Sequence, residues 1–271
     1  MRAEFHGLLD EHAEGLRKPL YLQGQNGLAV DLDGPALRIR QPEQAAVFYP
    51  LARLARVLSK GGVRWTCDAL LACAEAGVPV TFLDEKGGVR GYLFGPSSGG
   101  GALYLRLRAC LRRPDGLKRY ADWRRLMVDH ARRALERQLR QVGVCPGPVL
   151  AWRGLMPVGP RPVVTARDEA VFRRLRGLLA GMSAQLLVEA GLDAARLAHL
   201  EPLNLVDDLA ELLGWALAGP VLIESRRWGR GEPGPDLGDE RELTALVEER
   251  RDEVFRFGRL LLDRLQRWLE V

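Results

Sequence analysis

The segment Leu197–Leu213, LAHLEPLNLVDDLAELL, concentrates groups that can do chemistry. One of the chain's four histidines, His199, precedes two adjacent aspartates, Asp207 and Asp208; Glu211 follows at helical spacing, and leucines surround them all. Imidazole nitrogens and carboxylate oxygens ligate divalent metal ions. Carboxylates also gather at helix starts, where they cap the first turn and face the positive end of the helix dipole. The residue types allow both readings, a metal site or a helix start with capping acids. Glu211, three residues after Asp208, lies on the same helix face and is placed to orient a ligand rather than to be one. Asp207 reads as a capping residue or as a second acidic neighbour.

A second stretch carries charge. From Tyr104 to Val142 there are twelve Arg or Lys against four acids, with arginines paired at Arg112–Arg113, Arg124–Arg125 and Arg132–Arg133. A local excess of eight positive charges is enough to engage several phosphates, with strongly salt-dependent binding. Nothing in it reads bases, so the expected contact is with a nucleic-acid backbone.

The elements that must position these groups divide into two regions. PLYLQG and GLAVDLDGPALRIR alternate with period two, broken at Gly27 and at Asp33-Gly34-Pro35, so Val30, Leu32, Leu37 and Ile39 are predicted on one side of a sheet. Short β-rich pieces are expected around Val47–Tyr49, Arg56–Leu58 and Val63–Trp65. A short helix capped by Thr66, with Leu70, Leu71 and Cys73 on one face, ends at Gly77; a strand, a turn at Lys86-Gly87-Gly88 and another strand follow. GPSSGGGA is glycine- and serine-rich and reads as a flexible tether. Beyond it Leu117, Tyr120, Trp123, Met127, Ala131, Leu135 and Leu139 recur every three or four residues, one long amphipathic helix. Further helices are expected at about 167–190, 205–217 and 240–269. The predicted class is α+β: a small β-rich domain over 1–95, a tether over 96–103 and a larger helical domain over 104–271.

Composition sets outer limits. The chain has 271 residues, a formal net charge of +5 and a pI of about 9.3, a weak pointer to an anionic partner. Cys67, Cys73, Cys110 and Cys145 form no CxxC pair and fit no zinc spacing, so they read as thiols of a reducing compartment. The first residues, MRAEFHGLLDEH, carry charges where a signal peptide needs an apolar core. The longest apolar run, Leu212–Ile223, is twelve residues with Pro220 inside, short of the roughly 20 that a membrane span needs. A cytoplasmic protein with no membrane partner is the expectation.

One segment goes beyond composition. YPLARLARVLSKGGVRWTCDALLACAEAGVPVTFLDEKGGVRGYLFG resembles the N-terminal domain of the CRISPR-associated spacer-acquisition integrases, the Cas-one family. The resemblance rests on Pro50-Leu51, Leu54 and Val57, then Val63-Arg64-Trp65 and Ala69-Leu70-Leu71, then Gly77-Val78-Pro79-Val80 and Phe82-Leu83-Asp84. It covers 19–95, and the order β-domain, tether, helical domain fits as well. In the helical domain, Gly191-Leu192, His199, Leu203–Leu205 and Asp208-Leu209-Ala210-Glu211 match a family segment in which a histidine leads to an Asp-Leu-x-Glu. The resemblance implies an integrase or endonuclease of CRISPR adaptation, an antiviral defence. It would act as a homodimer built through the β-domain, with a small ferredoxin-like partner, inserting short protospacer DNA into the repeat array. It implies Mg²⁺ or Mn²⁺ held by a glutamate, His199 and Asp208; imidazole suits Mn²⁺ better than Mg²⁺.

This chain departs from the family pattern at three points. The link from His199 to Asp208 is short, the Arg-Pro that follows the family's Asp-Leu-x-Glu is replaced by LLGWALAG, and no acid lies between Glu136 and Asp168. Glu136 is therefore the glutamate left by position, although its context, ALERQLRQ, reads as an exposed face of the basic helix. An alternative function follows: a catalytically impaired relative that serves as a structural DNA-binding subunit of an adaptation complex.

Overall fold

The computed structural model describes residues 17–24, 27–95, 102–141, 166–191, 203–229 and 236–270. They form two compact units, one of residues 1–85 and 90–96, the other of residues 86–89 and 97–271.

The first unit holds two four-stranded sheets and one helix. The first sheet has the order β1 (Lys18–Gly24), β5 (Leu54–Gly61), β7 (Val80–Leu83) and β8 (Val89–Leu93). β1 pairs with β5, and β5 with β7, in parallel. The second sheet has the order β4 (Val47–Pro50), β3 (Ala36–Arg40), β2 (Ala29–Asp33) and β6 (Arg64–Trp65). The Asp33-Gly34-Pro35 break is the β2–β3 hairpin, with Gly34 at φ +56°, a region glycine enters without steric cost. Val30 pairs with Ile39 and Leu32 with Leu37, so the predicted apolar side of this sheet is present. Between the sheets and the helix α1 (Cys67–Glu75) lies one core that includes Leu20, Leu22, Leu28, Val30, Leu37, Ile39, Val57, Cys73 and Val80. Burial pushes the Cys73 thiol up to about 12, so it is an inert packing group. Cys110 is also buried and Cys67 exposed, all three unpaired.

Two details differ from the expected pattern. The piece expected at Arg56–Leu58 is an eight-residue strand whose first six residues, including Arg56 and Ser59, are buried. A strand in the middle of a parallel ladder is covered on both faces, and the polar side chains are accommodated there by partners: Arg56 Nη2 donates to the Tyr21 hydroxyl at 3.2 Å and Trp65 Nε1 to Ser59 Oγ at 3.0 Å. On α1 the buried face is Ala69, Cys73 and Ala74, while Leu71 is 55% exposed. Small side chains let the helix lie close to the sheet, and that proximity outweighs hydrophobicity in choosing the face.

The second unit contains α2 (Ala102–Leu111), α3 (Gly116–Gln141), α4 (Ala166–Glu189), α5 (Leu205–Gly229), α6 (Glu240–Glu249) and α7 (Arg251–Leu269). α4 and α5 are its centre. From Val171 to Leu187 and from Leu205 to Val221 most side chains are buried whatever their helical phase, as expected of helices surrounded by others. α3, α6 and α7 bury one stripe each, on α3 Tyr120, Trp123, Met127, Ala131 and Leu135; the side chain of Leu139 lies outside the described residues. Gly258 of α7 fits against α4 and α5 because it has no side chain: a Cβ there would stand 2.4 Å from Leu186 Cδ1 and 3.4 Å from Leu213 Cδ2.

Boundaries differ at three places. Helix begins at Ala102, inside the expected tether; residues 96–101 lie outside the described ones. α2 was hidden among the strongly basic residues of its stretch. α5 continues past Leu217 through Pro220 to Gly229. Proline removes one backbone hydrogen bond, and buried Ala218 and Val221 keep the helix anchored across it. The expected helix 240–269 is two, parted at Arg250, whose φ and ψ of −93° and 8° leave the helical range. The apolar spacing runs on across that joint through Val247 and Val254, so periodicity does not reveal it. No described helix is long and apolar enough to cross a membrane.

The outer face of the second sheet carries an ion cluster. Asp31 Oδ1 meets Arg38 Nε, and Oδ2 meets Arg40 Nη2, each at 2.6 Å. The hydrogen bond from Arg38, outweighing the cost of burial, lowers the Asp31 pKa. The resulting stabilisation is complete above the unfolded-state value, about 3.9, and is lost as pH falls through the lower folded value. Asp31→Asn should melt roughly 3 °C below the wild type at neutral pH. Thermal melts at decreasing pH should show that gap closing below about pH 4.

Candidate active site

Asn204 starts α5. Its side-chain oxygen accepts from the Asp207 backbone N–H at 3.2 Å and its amide donates to Asp207 Oδ2 at 2.8 Å. This is an N-cap by Asn204, closed by a side-chain bond back to Asp207. Asn204 is the cap and Asp207 its respondent, so Asp207 is occupied by the helix start. The dipole of α5 favours both acids of its first turn, Asp207 and Asp208.

Asp208 and Glu211 point from α5 toward α3. The Tyr120 hydroxyl donates to Asp208 Oδ2 at 3.0 Å. Arg124 Nε stands 3.0 Å from Asp208 Oδ1, and Arg124 Nη2 donates to Glu211 Oε2. Nε makes no hydrogen bond, so its contact with Asp208 is ionic only. Tyr120 and Arg124 are four residues apart and Asp208 and Glu211 three, so each pair shares a helix face and the two faces meet. The Asp208 and Glu211 side chains are 16% and 11% exposed, that of Arg124 37%. Trp123 packs beside Tyr120, ring centroids 5.6 Å apart, and Trp268 of α7 beside Trp123 at 6.3 Å, an aromatic wall behind the phenol.

Burial dominates the electrostatics. It raises the Asp208 pKa; the Arg124 charge and the Tyr120 hydrogen bond oppose that, while Glu211 and Asp207 add to it. Burial, then the Asp208 charge, pushes the Tyr120 phenol far above its ordinary value, so it stays a donor. Burial alone would lower the Arg124 pKa, but Asp208 and Glu211 outweigh it and hold the guanidinium charged. The cluster is thus two carboxylates sharing one cation, with a phenol fixing the orientation of Asp208.

The other expected site residues are placed as follows. His199 lies outside the described residues. Glu136 is on α3, sixteen residues beyond Tyr120, about 24 Å of helical rise, so the structure does not bring it together with Asp208. Among the described residues no group of three His, Cys, Asp or Glu could hold a metal ion. Of the six arginines expected to meet DNA, Arg112, Arg113, Arg125 and Arg133 are exposed and Arg132 is half-buried. Arg125 pairs with Asp122 at 3.0 Å and Arg132 with Asp129 at 3.5 Å, both along the helix. Among the described residues, Arg124 alone of the six turns to carboxylates on another helix. Sequence reasoning missed Tyr120 in this role, having read it only as part of the apolar stripe. The available signal was an i, i+4 Tyr–Arg pair at the border of that stripe.

The two members of one arginine pair should therefore behave differently. Arg124→Ala leaves two like charges without a counter-ion and should destabilise the protein by about 2 kcal/mol, less than a fully buried pair because Arg124 is partly solvated. Arg125→Ala should stay within about 0.5 kcal/mol. Urea unfolding of the two variants measures the contrast, and equal stabilities would refute the pairing.

Residues 20–143 match the family model of the CRISPR associated protein Cas1. No curated protein matches the sequence. A CAS1 protein from Thermotoga maritima has a similar structure, with 13% identity, TM-score 0.66, 92% of this chain and 97% of that chain covered. The crystal structure of TtCas1 matches with 19% identity, TM-score 0.62, covering 94% and 99%. A casposase bound to an integration product matches with 15% identity, TM-score 0.60, covering 92% and 90%. The chain thus carries a segment similar to the Cas1 family model over residues 20–143, and its fold is similar to that of Cas1 structures over more than nine-tenths of its length.

Proposed function

We propose that the chain is a DNA integrase of CRISPR adaptation, inserting short DNA fragments into a repeat array. The observation that carries this is the family match over residues 20–143, together with an oriented buried carboxylate, Asp208, on a helix packed against an arginine-rich one. Structurally similar proteins support the same reading: TtCas1 in a DNA complex, the casposase on its integration product, and a Cas6-RT-Cas1–Cas2 complex. In such a reaction a fragment's 3′-hydroxyl oxygen attacks a phosphorus of the repeat, a new phosphodiester forms, and the old P–O bond breaks to release a 3′-hydroxyl.

The finer parts of the reading are proposals too. The chain works as a homodimer through its β-domain, where the edge strand β4 leaves Val47 and Phe48 exposed at 39% and 52%, an edge that favours covering. It works with a small ferredoxin-like partner. Mg²⁺ or Mn²⁺ is the expected ion, with His199 and Asp208 as its expected protein ligands. The described residues by themselves do not fit such an ion, since Asp208 and Glu211 already share the Arg124 cation and no third donor stands beside them. That observation favours the second reading, a structural DNA-binding subunit without catalysis.

Integration of a labelled short duplex into a repeat-bearing plasmid, in Mn²⁺ and in Mg²⁺ with the adaptation partner present, separates the two. On the first reading the product forms, more readily in Mn²⁺, and both His199→Ala and Asp208→Asn abolish it. DNA binding with no product in either ion leaves the structural reading.

Backbone contact is checked by salt. Arg125 and Arg133 are exposed on α3. Replacing both by alanine should weaken DNA binding and flatten the slope of log K against log salt by roughly two. An unchanged slope would mean that this face of α3 meets no phosphate.

A further inference from the structure

We propose that in the free protein Arg124 is the resident cation of Asp208 and Glu211, so that a divalent ion binds there only by displacing the guanidinium. The proposal rests on the reading of Asp208 as a metal ligand. It starts from the mismatch between that expectation and the observed cluster.

Three observations carry it. The carboxylates are nearly buried and neighbouring on one helix face, so charge repulsion and lost hydration demand a positive charge between them. Arg124 supplies one from α3, reaching Asp208 through Nε and Glu211 through Nη2. The grip is incomplete: Nε approaches Asp208 without a hydrogen bond, and the arginine side chain is 37% exposed, so it has a path to solvent. A bidentate fork–fork pair would be harder to open. Nucleic-acid phosphate is the kind of partner that could draw Arg124 outward, because guanidinium and phosphate match in geometry and charge. Tyr120 does not compete with a cation in this way; it is a neutral donor that keeps Asp208 oriented whichever positive charge faces it.

The test is calorimetric titration of the full chain with Mn²⁺, without DNA. The wild type should bind weakly. Arg124→Gln, which removes the competing positive charge but keeps an amide, should bind Mn²⁺ about tenfold tighter or more. The gain should vanish in the double variant Arg124→Gln/Asp208→Asn, assigning it to this cluster. Unchanged affinity in Arg124→Gln, or a gain that survives loss of Asp208, overturns the proposal. If Arg124→Gln does not fold by circular dichroism, Arg124→Lys decides. Its single ammonium reaches one carboxylate more readily than both, so Mn²⁺ should bind about threefold tighter than to the wild type; equal or weaker binding overturns the proposal. Integration is scored separately. A variant that takes Mn²⁺ as expected but integrates nothing counts against the integrase reading and leaves this inference standing. Product formation with an Mn²⁺ affinity indifferent to Arg124 does the reverse.

Discussion

Two carboxylates cannot enter a leucine-rich interior together unless something positive enters with them. Asp208 and Glu211 sit on α5 among Leu205, Leu209, Leu212 and Leu213, all buried. Their desolvation is offset from outside their own helix, by Arg124, and the Tyr120 hydroxyl satisfies the remaining Asp208 oxygen. This couples the packing of α3 on α5 to electrostatics as well as to apolar contact. Met127, Ala131 and Leu135 bury the lower stripe of α3 in the usual way, and the Tyr–Arg end of the same stripe is held by charge. The helix richest in arginine is thus attached to the core by one of its arginines, while others remain on its solvent side.

The first unit solves a related problem differently. β5 lies between β1 and β7 in a parallel ladder and is covered on both faces. Its polar residues Arg56 and Ser59 are buried; Arg56 engages Tyr21 of the adjacent β1 and Ser59 engages Trp65 of β6 in the second sheet. On the second sheet the cross-strand partners Asp31 and Arg38 form an ion pair that Arg40 completes. In the first unit the buried carboxylate of Asp31 is matched across a hairpin, and in the second those of Asp208 and Glu211 are matched by an arginine more than eighty residues away in sequence.

Much of the fold was legible locally. Period-two alternation placed β2 and β3 and their turn, because a residue with a small φ barrier at Gly34 and matched apolar rows leave little choice of register. The three- and four-residue spacing of Tyr120, Trp123, Met127, Ala131 and Leu135 placed α3 and its buried face. Where local signals failed, tertiary burial had overridden them. β5 was read too short because its polar residues break alternation. The face of α1 was misread because close approach to a sheet favours alanine over leucine. α5 runs through Pro220 because its sides are anchored by neighbours, and the joint at Arg250 leaves the apolar spacing undisturbed.

For the site, the sequence by itself determined the residue types and their helical phase: a Tyr–Arg pair on one helix, an Asp–Glu pair on another, and an arginine excess around the first. It also carried the family pattern from Pro50 to Asp84. Only the tertiary structure decided which arginine of the pair Arg124–Arg125 is internal. Adjacent residues on a helix point about 100° apart, so one of the two must face α5 when the other faces solvent. The packing of α3 sets that choice, and no local pattern encodes it. The same packing separated Glu136 from Asp208, since sixteen residues along one continuous helix cannot fold back. Proximity in sequence had made Glu136 a candidate; the rigidity of the helix removed it from this cluster, and the low tolerance of a buried interior for unpaired charge put Arg124 there instead.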